Sequence, residues 1–354
     1  MRNTPTHPAL KGGLLALLAA ALFGLSTPMV QSLGLGVGAF TTAALLYAGA
    51  AVVAWVLRRP TAQEAKIQQQ DWPRLLAMAG TGAVIGPVAL AWGLQHTSGS
   101  SASLMLTLEA LFTAVLAWRW YGETLDKRVV LAVLLLFAGG VILVIEQSAL
   151  GQIQLWGLLA VMLATLAWGV DNTLSRGVAD RDPGQVVLVK AALGAFCTLS
   201  LAVLFKEPLP LVTQAMGLLA VGATGYGLSL RFYLLAQRTL GAARTGSVFA
   251  FAPFIGAMGA FALGDRSGSW LMATAGLLML LGVCLHLMET HAHPHTHEAL
   301  AHEHAHSHDD GHHDHQHDNQ LAPLLSGTHS HWHQHEPITH THPHVPDAHH
   351  GHRH

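Results

Sequence analysis

Charge is what this sequence has least of: Asp, Glu, Lys and Arg make up 11% of 354 residues, against roughly 25% in soluble domains. So little charge cannot cover the surface of a soluble domain of this length, which excludes an ordinary water-facing fold. Cysteine is scarce too. Cys197 and Cys284 are the two present, and each sits inside an apolar run. They read as small core residues and support neither a disulfide framework nor a thiolate metal site. Basic residues stand singly at the ends of apolar runs, without the stripe or interleaved aromatics of a nucleic-acid surface. No nucleophile triad, nucleotide loop or paired carboxylates mark an enzyme, so no catalytic residue is assigned. The glycines of Gly34-Leu35-Gly36-Val37-Gly38 form a loop, because a phosphate-binding turn needs a strand before it.

What the chain has in quantity is apolar length: 51% of residues are hydrophobic and the mean hydropathy is +0.39. A spanning helix needs about 20 mostly apolar residues. Ten windows qualify: 12-31, 38-57, 74-94, 101-120, 128-145, 155-175, 184-205, 212-236, 245-263 and 270-288. Arg2 and Lys11 precede the first window as in a signal peptide, but that window exceeds the ~7 to 15 residue core of one. It is read as a retained helix. The expected fold is therefore an all-α membrane protein of ten transmembrane helices, with a short N-terminus (1-11), a first half (12-146), a second half (155-288) and a tail (289-354).

Lys and Arg in short loops stay cytoplasmic. One set of alternate loops carries Arg2, Lys11, Arg58, Arg59, Lys66, Arg74, Arg119, Lys127, Arg128, Arg176, Arg181, Arg238 and Arg244, and the other carries Lys206 and Arg266. This asymmetry predicts both termini in the cytoplasm.

The halves echo each other. Gly13-Leu14-Leu15-Ala16 followed by Phe23-Gly24 matches Gly157-Leu158-Leu159-Ala160 followed by Trp168-Gly169, and Gly122-Glu123 matches Gly264-Asp265. Five helices per half force the second half to insert upside down, an inverted-repeat plan whose substrate site lies near the midplane. This order resembles the EamA family of the drug/metabolite transporter superfamily over residues 12 to 288. Helix 4 from Leu108-Glu109 to Trp118 and Gly122-Glu123 is similar to the family pattern, as is Phe251-Ala252-Pro253 to Gly264-Asp265. Asp265 departs from the commoner Glu, and Glu109 from an apolar or small residue. The resemblance implies a secondary transporter of the inner or plasma membrane, often an exporter of amino acids, metabolites or drugs.

Away from the ends of the windows stand four charged residues: Glu109, Asp171, Lys190 and Arg231. An unpaired charge at mid-membrane costs at least ~2.5 to 3.5 kcal/mol, so such residues usually face a partner, a cavity or a substrate path. Asp171, Lys190 and Arg231 lie at similar depth, roughly 8 to 10 Å from one interface at 1.5 Å per residue. Asp171 is expected to pair with Lys190 or Arg231. That pair either locks helix packing or serves substrate or proton, while Lys190 and Arg231 could also snorkel to the headgroups. Glu109 stands apart near mid-span, either protonated and silent or carrying a coupling proton. Glu109, Asp171, Asn172, Lys190, Arg231, Trp168 and Tyr226 form the candidate substrate-binding or proton-coupling set. Trp92 and Tyr233 could also line a cavity, though packing is the commoner use of such aromatics. Pro28, Pro87 and Pro253 are expected to kink their spans.

The tail holds nearly all the histidine: of 26, only His7, His96 and His286 precede residue 291. One unit runs His291, His293, His295, His297, then His302, His304, His306, His308, and closes with His312, His313, His315, His317. A second runs His329, His331, His333, His335, then His340, His342, His344, and closes with His349, His350, His352, His354. Neutral imidazole with flanking carboxylates suits zinc, nickel, cobalt or copper. The segment lacks an apolar face to hold a strand, and a disordered cytoplasmic tail is expected.

The leading expectation is a proton- or potential-driven transporter exporting a small organic metabolite or drug, with a metal-binding cytoplasmic tail. The alternatives are a transition-metal transporter fed by that tail, and a metal-storing or metal-sensing membrane protein without transport. No cofactor is required by either transport reading. Expected partners are the bilayer, a small solute and divalent metal ions, not nucleic acid, with a homodimer left open.

Overall fold

A computed structural model describes residues 8-57, 65-121, 127-178, 181-240 and 242-287, together with 291-296, 300-306, 329-335 and 339-344. Eight helices in it are long and apolar enough to cross a membrane. They are α1 (Pro8–Leu33), α2 (Ala39–Val56), α3 (Gln69–Leu94), α4 (Gly99–Tyr121), α5 (Lys127–Leu150), α6 (Gln152–Ser175), α7 (Pro183–Leu204) and α8 (Val212–Ala236). The ninth window divides into α9 (Ala242–Phe249) and α10 (Ala252–Ala262), and the tenth becomes α11 (Trp270–Leu287). Pro253 explains the division, since it suits the first turn of a helix and not an interior.

Loop contacts sort the helix ends into two groups. At one end, Gln31 Nε2 donates to the carbonyls of Leu94 (3.1 Å) and Thr97 (3.0 Å). Gln95 Nε2 donates to Val37 (2.8 Å), and Ser269 Oγ donates to Glu146. Glu207 accepts from the N–H groups of Phe40 (3.1 Å) and Thr41 (2.7 Å), where the positive end of α2 favours an anion. At the other end, Arg181 pairs with Asp71 at 2.8 Å. There Asp182 N–H donates to Ala65 (2.8 Å), Arg74 to Gly177 (2.8 Å) and Tyr121 Oη to Thr173 (3.0 Å). The chain thus shuttles between two faces, as a multi-pass membrane protein must.

Small residues set how closely the helices approach, since lipid gives helices no hydrophobic reason to associate. A Cβ on Gly222 would collide with the backbone of Leu46, and one on Gly49 with the backbone of Leu219, so α2 and α8 touch main chain to main chain. The sequence echo has a spatial form. Gly24 of α1 lies against Ala252 and Ile255 of α10, and Gly169 of α6 lies against Phe112 of α4.

Both α3 and α8 widen into a π-helical turn, Ala79–Ile85 in one and Gly222–Leu228 in the other. In α3 the cause is local: Pro87 has no N–H to return to the carbonyl four residues back, and the turn ahead of it opens.

The tail, expected to be disordered, is described in four segments. All four are extended: β1 (His291–Thr296), β2 (Leu300–His306), β3 (His329–His335) and β4 (Thr339–His344). β1 pairs antiparallel with β4, and β2 with β3. The missing apolar face is answered by the repeat: each unit supplies the main-chain partner of the other, with His293 opposite His342 and His304 opposite His331. Gly122-Glu123, Arg58, Arg59, His297, His308, His312, His313, His315, His317, His349, His350, His352 and His354 lie outside the described residues.

Candidate functional site: a charged, aromatic cavity between the halves

Trp168 and Asp171 sit one turn apart on α6, so helical spacing brings them to the same face. Two glycines of α3 receive them. A Cβ on Gly82 would collide with the Asp171 carboxylate, and one on Gly86 would lie 2.6 Å from Trp168 Nε1. The Gly82 carbonyl, within the π-turn, accepts from Trp168 Nε1 (3.0 Å) and from Tyr47 Oη. Gly225 in the π-turn of α8 seats Ser26 in the same manner. Ser26 follows Phe23-Gly24 as Asp171 follows Trp168-Gly169, so the two positions are equivalent in the two halves.

Lys190, two turns into α7, donates to Asp171 Oδ2 in a buried ion pair. From the first half, Tyr47 on α2 lines the same cavity. Asp171 Oδ1 is buried and finds no hydrogen-bond partner among the described residues. Beside this pair, Asn172 Nδ2 donates to Glu109 Oε1.

These groups surround a cavity of about 680 Å³, its mouth included, lined by Phe23, Tyr47, Ala50, Glu109, Trp168, Asp171, Asn172, Val187, Lys190, Ala191, Gly225, Tyr226, Ser229, Leu230, Tyr233 and Phe249. Its aromatic wall is continuous. Phe23 meets Trp168 edge-to-face at 5.6 Å and Tyr226 at 5.9 Å, Tyr226 meets Tyr47 at 5.7 Å, and Tyr233 meets Phe249 at 5.0 Å. Such pairs add about 0.5 to 1.5 kcal/mol each beyond burial. Asp171 and Asn172 lie close to Ser175 at the end of α6, and Val187 close to Pro183 at the start of α7. The cavity is displaced toward the face that carries the Asp71–Arg181 pair.

Six of the seven expected site residues therefore line one cavity: Glu109, Trp168, Asp171, Asn172, Lys190 and Tyr226. One expectation is resolved and one needs correction. Asp171 pairs with Lys190 and not with Arg231, whose side chain reaches the first turn of α7 beside Gly184 and is outside the lining. Glu109 does not stand apart, because α4 and α6 pack together and set it against Asn172. Sequence reasoning missed Phe23, Tyr47, Ser229 and Phe249. The echo of Phe23 by Trp168 is the signal that could have found the first of these.

Outside the spans, Asp265 follows α10 and accepts from the Ser100 N–H at 2.9 Å, over the first turn of α4. Partial burial would raise its carboxyl, but bonds from the Ser267 side chain and backbone and from Ser100 outweigh it and hold the group below the usual carboxylate range.

A bundle whose first and sixth helices present equivalent residues to a shared cavity, and whose loops alternate between two faces, defines a multi-pass membrane protein with two structural repeats. The EamA-like transporter family matches residues 10–145 and 155–288, and the chain belongs to that family. It is 30% identical over 235 residues to an uncharacterized transporter of Methanothermobacter thermautotrophicus, covering 64% of this chain and 68% of that one. It is 26% identical over 200 residues to the uncharacterized transporter YyaM of Bacillus subtilis, covering 54% of this chain and 65% of the relative. A solved crystal structure shares the fold at TM-score 0.54 and 22% identity, over 78% of this chain and 96% of that one.

Proposed function

We propose that the chain is a secondary transporter, driven by protons or by membrane potential, that exports a small organic metabolite or drug through the cavity between its halves. One observation carries this reading: a buried acid–base pair and an aromatic wall converge on one cavity where the two repeats meet. Charge pairs of that kind can be broken by a charged solute or by protonation during alternating access. In this reading α9 and α10 together make a ninth crossing and α11 a tenth, in the plasma membrane with both termini cytoplasmic, so the cavity faces the cytoplasm. Glu109 is the proposed carrier of a coupling proton, and Asp171–Lys190 the pair that the solute opens.

The lining includes no histidine or cysteine among the described residues, so the cavity's donors favour an organic solute over a transition metal. The tail is proposed to bind zinc, nickel, cobalt or copper through its imidazoles, apart from the pore. Flux into proteoliposomes of a panel of amines, amino acids, organic anions, zinc and nickel tests the reading. Transport of an organic solute is expected, with its pH dependence lost in Glu109→Gln. Transport and pH dependence that both survive Glu109→Gln and Asp171→Asn would exclude these coupling roles.

A further inference from the structure

The charges facing the cavity cancel only while Glu109 holds a proton. Glu109, Asp171 and Lys190 line it, and Lys190 is engaged by Asp171. Glu109 bonds the neutral amide of Asn172 and forms no ion pair among the described residues. The first half adds no cation among the described residues, since it contributes Phe23, Tyr47, Ala50 and Glu109 to the lining. Once Glu109 has given up its coupling proton, two acids face one base. A buried uncompensated carboxylate is costly in a low-dielectric site, and Asp171 Oδ1 is an acceptor without a donor among the described residues.

We infer that the occupant of this cavity is an organic monocation with an N–H donor, a protonated amine on an aromatic or similarly flat apolar body. A monocation closes the charge count. A zwitterion brings both signs and leaves the surplus acid unanswered, and an anion widens the imbalance. The N–H supplies Asp171 Oδ1 with its missing donor, which a quaternary ammonium cannot do. The faces of Phe23, Tyr47, Trp168 and Tyr226 attract a cation through their ring quadrupoles, most strongly when water is excluded. Lys190 is in effect a tethered version of the ligand head: its ammonium already occupies Oδ2 and leaves Oδ1 open. The physiological meaning of this inference rests on the transporter reading; the binding chemistry does not.

The test is calorimetric binding to the purified full chain in nanodiscs, with phenethylammonium, its N-trimethyl analogue, phenylalanine and phenylpropionate as probes. Phenethylammonium should bind at least about tenfold more tightly than phenylalanine or phenylpropionate, a gap of about 1.4 kcal/mol, and more tightly than the trimethyl analogue. Asp171→Asn should remove that preference. Should that variant misfold, the order of the four probes on the unaltered chain and a weakened amine affinity in Glu109→Gln decide. Equal or tighter binding of the anion or zwitterion, no binding of any probe, or an unchanged preference in a folded Asp171→Asn overturns the inference. Amine binding without amine flux in proteoliposomes defeats the transporter reading and leaves the inference standing. Flux of an organic anion without amine binding does the reverse.

Discussion

Replacing Lys190 with methionine keeps most of the side chain's length and removes its charge. The structure sets the magnitude, because the two side chains of the Lys190–Asp171 pair are 7% and 6% exposed. At that burial the small values of surface pairs do not apply. Removing one partner leaves an uncompensated buried charge, which costs about 3 to 5 kcal/mol, whereas replacing both by groups of similar volume is often neutral. Lys190→Met alone should therefore be strongly destabilising. The double variant Lys190→Met/Asp171→Asn should recover most of the loss, giving a coupling energy of about 2 kcal/mol or more. Reversible unfolding in mixed micelles, run on all four proteins of the cycle, measures it. A coupling below about 0.5 kcal/mol, the scatter of independent sites, would refute the argument that these groups depend on each other.

Three further outcomes follow from other contacts. Gly222→Ala should sharply reduce folded yield, because its Cβ meets the Leu46 backbone and not a flexible side chain; folding yield by size exclusion checks it, with Gly268→Ala, where nothing crowds the position, as the neutral control. Asp265→Asn should destabilise the chain at neutral pH. The Asp265 carboxyl sits below its ordinary value, so its contribution is full above the unfolded carboxylate range near ~4 and fades as acidification passes the lower folded value. Melting temperature against pH should then show the gap between wild type and Asp265→Asn narrowing only toward strong acid. Deleting residues 291 to 354 should abolish tight nickel binding by the full chain while organic flux continues; unchanged nickel binding would remove the tail's proposed role.

Much of the site could be read from residue types. Asp171 and Lys190 were conspicuous as charges in apolar helices, and their equal depth made a pair geometrically reasonable. The echo of Phe23-Gly24 by Trp168-Gly169 pointed to two halves, and the structure sets those residues facing each other at 5.6 Å between the Phe23 and Trp168 rings. Depth along a helix, however, does not give rotation about it. Arg231 has the right depth but reaches toward Gly184 instead of Asp171. The Glu109–Asn172 contact joins positions 63 apart whose proximity depends on how α4 and α6 pack. The π-turns were equally hidden, since Pro87 signals a disturbance but not its form. In the tail, the alternation of histidines was plain, but composition could not show that one copy would pair with the other.

The carbonyl of Gly82 serves two masters from opposite repeats: Tyr47 of the first half and Trp168 of the second both donate to it. Gly82 and Tyr47 both belong to the first half, so separating the halves at this level would leave their bond and strand the Trp168 N–H, whose acceptor no water replaces in hydrocarbon. That makes the junction a fulcrum. In the transporter reading, motion that alternates access would be confined to the helix segments on either side of it, as a lever turns about a point that does not itself travel. The rate of exchange between the two faces would accordingly be governed by the loop contacts at the ends and not by the chemistry at the centre.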